Sequence, residues 1–306
     1  MANQLKTVLL LGVLTGLFLA IGHLVAGKQG MIIAFVVALF MNFFSYFFSD
    51  KVALAMYGAR EISYEEAPWL HEMVEDLARR AGIPKPKIYL APMAVPNAFA
   101  TGRDPNHAAV AVTSGILQIL DKNELRGVLA HELGHIKNRD ILISSIAATI
   151  GGAISMLANI AYFSTFFGGN NNDEENSSNT IASIIGSVIL FIVAPLAATL
   201  VQMAISRSRE FLADEAGAKI SGCPLCLANA LRKLEEIAHN PQIQEVASRE
   251  VNPGTAHMMI VNPLSGDFIM KLFSTHPPTE ERIRRLEELA RKMQTGYGFQ
   301  YGFQHV

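Results

Sequence analysis

The stretch DKNELRGVLAHELGHIK, residues 121–137, decides the reading of this chain, because it predicts a helix carrying His131, Glu132 and His135. Asp121 can cap that helix, and Glu124 three residues later completes a capping box. Residues four apart on a helix stand about 6 Å apart along its axis and nearly above one another. The rings of His131 and His135 can therefore converge on one cation. Glu132 projects about 100° round the axis, well placed to take a proton from water and poorly placed to ligate. Leu125, Leu129, Leu133 and Ile136 are expected on the opposite face, packing into a core while the histidines face a cleft. Gly134 is read as leaving space near a metal.

Half of the 306 residues are hydrophobic and the mean hydropathy is +0.27, so the sequence predicts a membrane protein. The net charge of -2 and the lack of a basic stripe with interleaved aromatics speak against nucleic acid as a partner. Four stretches are long enough for the roughly 20 residues a bilayer requires. They are Thr7 to Gly27, Met31 to Phe48, Ile141 to Phe167 and Thr180 to Ile205. Gly12 and Gly16 offer a small-residue packing face in the first. The second follows after a few residues, so the pair is read as an uncleaved hairpin rather than a signal peptide. Polar residues 168–179 carry acidic groups and no Lys or Arg, whereas nearly all Lys and Arg lie in 50–140 and 206–306. Positive-inside places both of those blocks in the cytoplasm, with Lys28 a small dissent.

Each polar block is short for a domain, so the two are expected to combine. The first predicts a helix from Glu65 to Ala81 and strands over Lys87 to Ala91, Asn97 to Gly102 and Ala108 to Thr113. The second predicts helices over Glu210 to Ile220, Leu225 to His239 and Glu280 to Met293. Cys223 and Cys226, a lone Cys-x-x-Cys, are read as small apolar thiols near a helix start in a reducing compartment.

A hydrolytic zinc site has three protein ligands and an open position. A His-x-x-Gly-x-x-His extension would need histidine where Ile141 stands, which excludes a metzincin-type pattern. His239, His257, His276 or a carboxylate remain as third ligand. Glu210 and Asp214, four apart just beyond the last apolar span, could divide the work, one ligating and one accepting a ring N–H. A transmembrane hairpin would return the chain to the place it left.

Together, His131-Glu132-Leu133-Gly134-His135, the intervening apolar hairpin and the segment SRSREFLAD at residues 206–214 resemble the HtpX-type heat-shock membrane metalloproteases, relatives of the type I CAAX prenyl proteases. The resemblance covers essentially the whole chain. It implies an α+β membrane protein, mainly helical, with four transmembrane helices and a cytoplasmic zincin-like (gluzincin) domain holding a small β-sheet. Residues 1–50 and 141–205 would form the transmembrane hairpins, and 51–140 and 206–306 the two parts of the protease. His131, His135 and Glu210 would bind one Zn2+ per chain, Glu132 would activate water, and Asp214 would orient a ligand. Asn97 would lie on a cleft-edge strand to which an extended peptide adds, and His276 near the developing oxyanion. The implied activity is cleavage of misfolded membrane proteins at the cytoplasmic face of the inner membrane, with self-cleavage. Two rivals remain: an intramembrane-cleaving metalloprotease, against which Arg126, Lys137, Arg139 and Asp140 argue, and a non-enzymatic zinc-stabilised scaffold, against which Glu132 argues.

Overall fold

A computed structural model describes residues 2–149, 207–261 and 277–295. Helix α1 covers Ala2–Met56. A straight helix would hold residues 15 and 42 about 40 Å apart. Instead Asn42 Nδ2 donates to Thr15 Oγ1 at 2.9 Å, so α1 doubles back on itself. The reversal falls at Gly27, whose φ of 58° is left-handed. The arms close where a Cβ on Gly22 would stand 2.5 Å from the Gly30 carbonyl oxygen. Gly12 and Gly16 meet nothing within 4 Å, so the packing face expected of them is not used among the described residues.

The second arm, Gly27–Met56, is long and apolar enough to cross a bilayer. Phe35, Val36 and Val37 are all exposed, as are Leu39, Phe40 and Phe43, so this helix is apolar around its circumference, as lipid requires. Among the described residues it alone meets the length and hydropathy of a span. The predicted third span is described only to residue 149. The fourth span and the polar loop 168–179 lie outside the described residues.

Four strands form a mixed sheet in the order β1 (Arg60–Glu61), β2 (Lys87–Ala91), β4 (Ala108–Thr113), β3 (Ala98–Gly102). β2 and β4 run parallel; β1 pairs with β2 and β3 with β4 antiparallel. β3 is thus an outer strand, as is β1 at the other edge. α2 (Pro68–Ala81) begins three residues later than the sequence predicts, at the proline favoured in a first turn. α3 (Ser114–Ile119), capped by the Thr113 hydroxyl, leads into α4 (Lys122–Lys137). Residues 141–149 form α5, followed by α6 (Arg207–Ser221), α7 (Pro224–Ala238), α8 (Pro241–Glu250) and α9 (Thr279–Gln294). β1, α3 and α8 were not anticipated: β1 and α3 are too short to show a period, while α8, with Ile243, Val246 and Ala247 at helical spacing behind the Asn240 cap, was overlooked.

α4 runs through the core, packed against α6 and α7. Leu125, Leu129, Leu133 and Ile136 join a cluster with Leu70, Leu77, Ile88 and Val110 from the first block and Leu227, Leu231 and Leu286 from the second. His131 and Glu132 are buried as well. The expected two-sided helix is therefore enclosed on nearly every face, because the second block covers the side that sequence assigns to an open cleft. α5 is buried through Ile141, Ile143 and Ile146, and its Ser145 hydroxyl meets Thr101 of β3 at 2.7 Å. Cys223 and Cys226 are joined by a disulfide. This corrects the reading of two free thiols: α7 starts at Pro224, and its first turn brings the two Cα atoms to 5.4 Å, within reach of a bridge.

Candidate metal centre

The predicted cap forms at α4. Asp121 Oδ1 accepts from the backbone N–H groups of Asn123 and Glu124, and Glu124 Oε2 accepts from that of Asp121 at 2.9 Å. Two turns on, the Nε2 atoms of His131 and His135 stand 3.2 Å apart. α6 crosses directly beneath, at glycines. A Cβ on Gly217 would lie 2.7 Å from the His131 backbone nitrogen, and one on Gly134 would lie 3.0 Å from the Ala213 carbonyl oxygen. Gly134 thus serves helix contact rather than space for a metal. This close crossing brings Glu210 to the rings: its Oε2 is 3.7 Å from His131 Nε2 and its Oε1 3.5 Å from His135 Nε2.

These three side chains offer donor atoms all within 4.8 Å of one another. Donors about 2.0–2.1 Å from a tetrahedral zinc ion would be separated by roughly 3.3 Å. The observed separations of 3.2, 3.5 and 3.7 Å lie close to that edge length, and two histidines with one carboxylate are a hydrolytic zinc set. The residues fit the ion. Glu210, one of the alternatives left open by sequence, is the group that meets both rings. His239 is exposed and bonds the Glu235 carbonyl, while His257 lines the cleft with Nε2 3.2 Å from the Ser144 carbonyl. His276 lies outside the described residues.

Each ring has a carboxylate behind it. Asp214 Oδ1 is 2.9 Å from His131 Nδ1. Asp140 Oδ2 is 3.3 Å from His135 Nδ1. Asp140 owes its place to the end of α4: Arg139 turns left-handed at φ 60°, and the Asp140 N–H bonds back to the His135 carbonyl. Sequence reading noted Asp140 only as a charge near the helix, and no spacing rule marks such a helix-end residue. Arg282 of α9 was missed altogether. Its Nε and Nη2 bond the two oxygens of Asp214 at 2.9 and 2.7 Å. Burial would raise the Asp214 carboxyl, but Arg282 outweighs it and holds the group well below the usual carboxylate range.

Glu132 points between the rings and β3, where its Oε2 accepts the backbone N–H of Ala100 at 2.8 Å. Burial pushes its carboxyl above the ordinary range despite the pull of His131 and His135. A carboxylate tuned upward suits a base working near neutrality.

Asn97 is buried, and its side chain is engaged by the chain itself. Nδ2 donates to the Met258 carbonyl at 3.1 Å, and Oδ1 accepts the Ile260 N–H at 3.0 Å. Residues 258–260 thereby hold contacts that the family resemblance would give to a substrate backbone. With Phe99, Ala100, His131, Glu132, His135 and Glu210 they line a partly open cleft.

The model of Peptidase family M48 matches residues 64–290. A Protease HtpX homolog from Sulfurihydrogenibium sp. (strain YO3AOP1) is 92% identical over 299 residues, covering 98% of this chain and all of its own length (100%). Another from Persephonella marina is 70% identical over 291 residues, covering 95% and 99%. Among solved structures, the crystal structure of S. mikatae Ste24p matches with a TM-score of 0.47 at 17% identity, covering 94% of this chain and 66% of that one.

Proposed function

Because the chain belongs to peptidase family M48, as a metalloprotease of the HtpX type, we propose that it is a zinc-dependent endopeptidase cleaving membrane and misfolded proteins at the cytoplasmic face of the inner membrane, in membrane-protein quality control. The carrying observation is the convergence of His131, His135 and Glu210 with Glu132 beside them. Zinc bound there would supply Lewis acidity, polarising the scissile carbonyl and lowering the pKa of water towards about 7.

His131, His135 and Glu210 would hold the ion, and Asp214 and Asp140 would fix the two rings. Glu132 accepts the proton of the attacking water and returns it to the leaving amine. β3 offers the substrate an outer strand edge beside the reacting carbonyl, with Asn97 at its start. His276 is assigned to the developing oxyanion on the family resemblance alone. The apolar helix Gly27–Met56 supports membrane anchoring, and the Lys and Arg of both polar blocks support a cytoplasmic, multi-pass arrangement of four spans, 1–50 and 141–205 forming two hairpins around protease parts 51–140 and 206–306.

The test is Glu132→Ala in the purified full chain, stripped of metal and reloaded with zinc. Cleavage of a model membrane protein should fall by roughly 10²- to 10⁴-fold while one zinc per chain is kept. Proteolysis by the zinc-loaded variant at the wild-type rate would refute the mechanism. Bound zinc without proteolysis in the wild type would favour a scaffold instead.

A further inference from the structure

Among the described residues, Arg282 is the largest of the fully buried side chains, 1% exposed, in the first turn of α9. A guanidinium removed from water costs several kcal/mol unless charged acceptors meet its donors. Here the acceptors belong to the metal centre. Nε and Nη2 form a fork on both Asp214 oxygens, Nη1 is 3.9 Å from Glu210 Oε2, and Nη2 is 3.4 Å from His131 Nε2. Asp214 Oδ1, gripped by Nη2 at 2.7 Å, is the same atom that faces His131 Nδ1 at 2.9 Å.

We propose that Arg282 is a positioning residue of the proteolytic site: by gripping both oxygens of Asp214 it fixes that carboxylate against His131 and so sets the ring's orientation as a metal ligand. The inference rests on His131, His135 and Glu210 being the zinc ligands. A carboxylate held at one oxygen can swing about its terminal torsion; held at both, it cannot. Lysine could supply the charge but only as a point contact, without the planar fork.

Two physical effects oppose each other at this residue. Coulomb's law alone says that removing a cation from beside a dication site tightens metal binding. Loss of a positioning group loosens it, typically by roughly 10- to 100-fold for an outer partner of a ligating histidine. The sign of the change therefore separates them.

The experiment compares zinc affinity, by competition with a chromophoric chelator, for the full-length wild type, Arg282→Met, Arg282→Lys, Asp214→Asn and Arg282→Met with Asp214→Asn, all in detergent. Cobalt(II) absorption reports ligand geometry independently of activity. Arg282→Met should weaken zinc binding roughly 10- to 100-fold and alter the cobalt bands, with Arg282→Lys intermediate. The double variant should lose no more than the weaker single, because both act through one carboxylate. Affinity equal to or tighter than wild type in either Arg282 variant, or additive losses in the double, would overturn the proposal. Should Arg282→Met not fold, with Asp214 left buried and unpaired, Arg282→Lys against Asp214→Asn decides by the same criteria. A wild type that takes up no zinc overturns the ligand assignment and this inference together; a zinc-binding wild type with indifferent variants overturns this inference alone.

Discussion

Glu132 must be both buried and basic, and its surroundings reconcile the two. Burial raises the carboxyl, while His131, His135 and the Ala100 N–H keep the charged form accessible. The crossing that assembles these groups depends on Gly217, which lets α6 approach the His131 backbone. Gly217→Ala would place a methyl group against backbone that cannot swing aside, so a loss of about 1–3 kcal/mol and weakened zinc binding are expected. Gly12→Ala, with nothing within 4 Å, should not lower stability. Thermal unfolding of both variants checks the contrast; equal melting temperatures would show that the crossing is loose.

Among the elements, α4 is secured at its start by the capping box and along its side by Asp76 of α2, which pairs with Arg126. Arg126 chiefly, then Arg79 and Arg80 against a counteracting burial effect, hold the Asp76 carboxyl far below its ordinary value. A carboxyl whose folded pKa is depressed contributes stability that is fully present above its unfolded pKa and lost as pH falls through the folded one. Asp76→Asn should therefore cost about 1 kcal/mol at neutral pH, and the gap to wild type should close as pH drops below about 4. Denaturant unfolding at several pH values measures it; a pH-independent gap would assign the effect to packing instead.

Across the whole molecule, the two polar blocks share one core, and the second also covers the cleft. Residues 257–260 line this cleft beside Phe99 and Ala100 of β3. Tyr57, just beyond α1, ties this cover down from the far end of the sequence: its hydroxyl donates to the Thr255 carbonyl at 3.2 Å. Removing one such bond is worth about 1 kcal/mol, so Tyr57→Phe should raise hydrogen exchange over residues 255–260 about fivefold. Unchanged exchange would mean that Asn97 and the apolar contacts hold the segment alone. The local features of this fold were legible in the sequence because they follow from neighbours in the chain. The capped α4, strands β2 and β4, the reversal near Gly27 and the pairing of His131 with His135 all rest on helical or strand periodicity and turn chemistry. Glu210 and Asp214 were legible as a pair on one helical face, though their tie to the histidines came from a family pattern. Asp140, Arg282 and the cover over Asn97 were not, since each acts on the site through a helix end or a packing contact that no spacing encodes. The sequence by itself determined a zinc-type motif on a capped helix in a membrane protein. Only the tertiary structure decided which groups surround it, because that depends on how closely α6, α9 and residues 257–260 can approach α4.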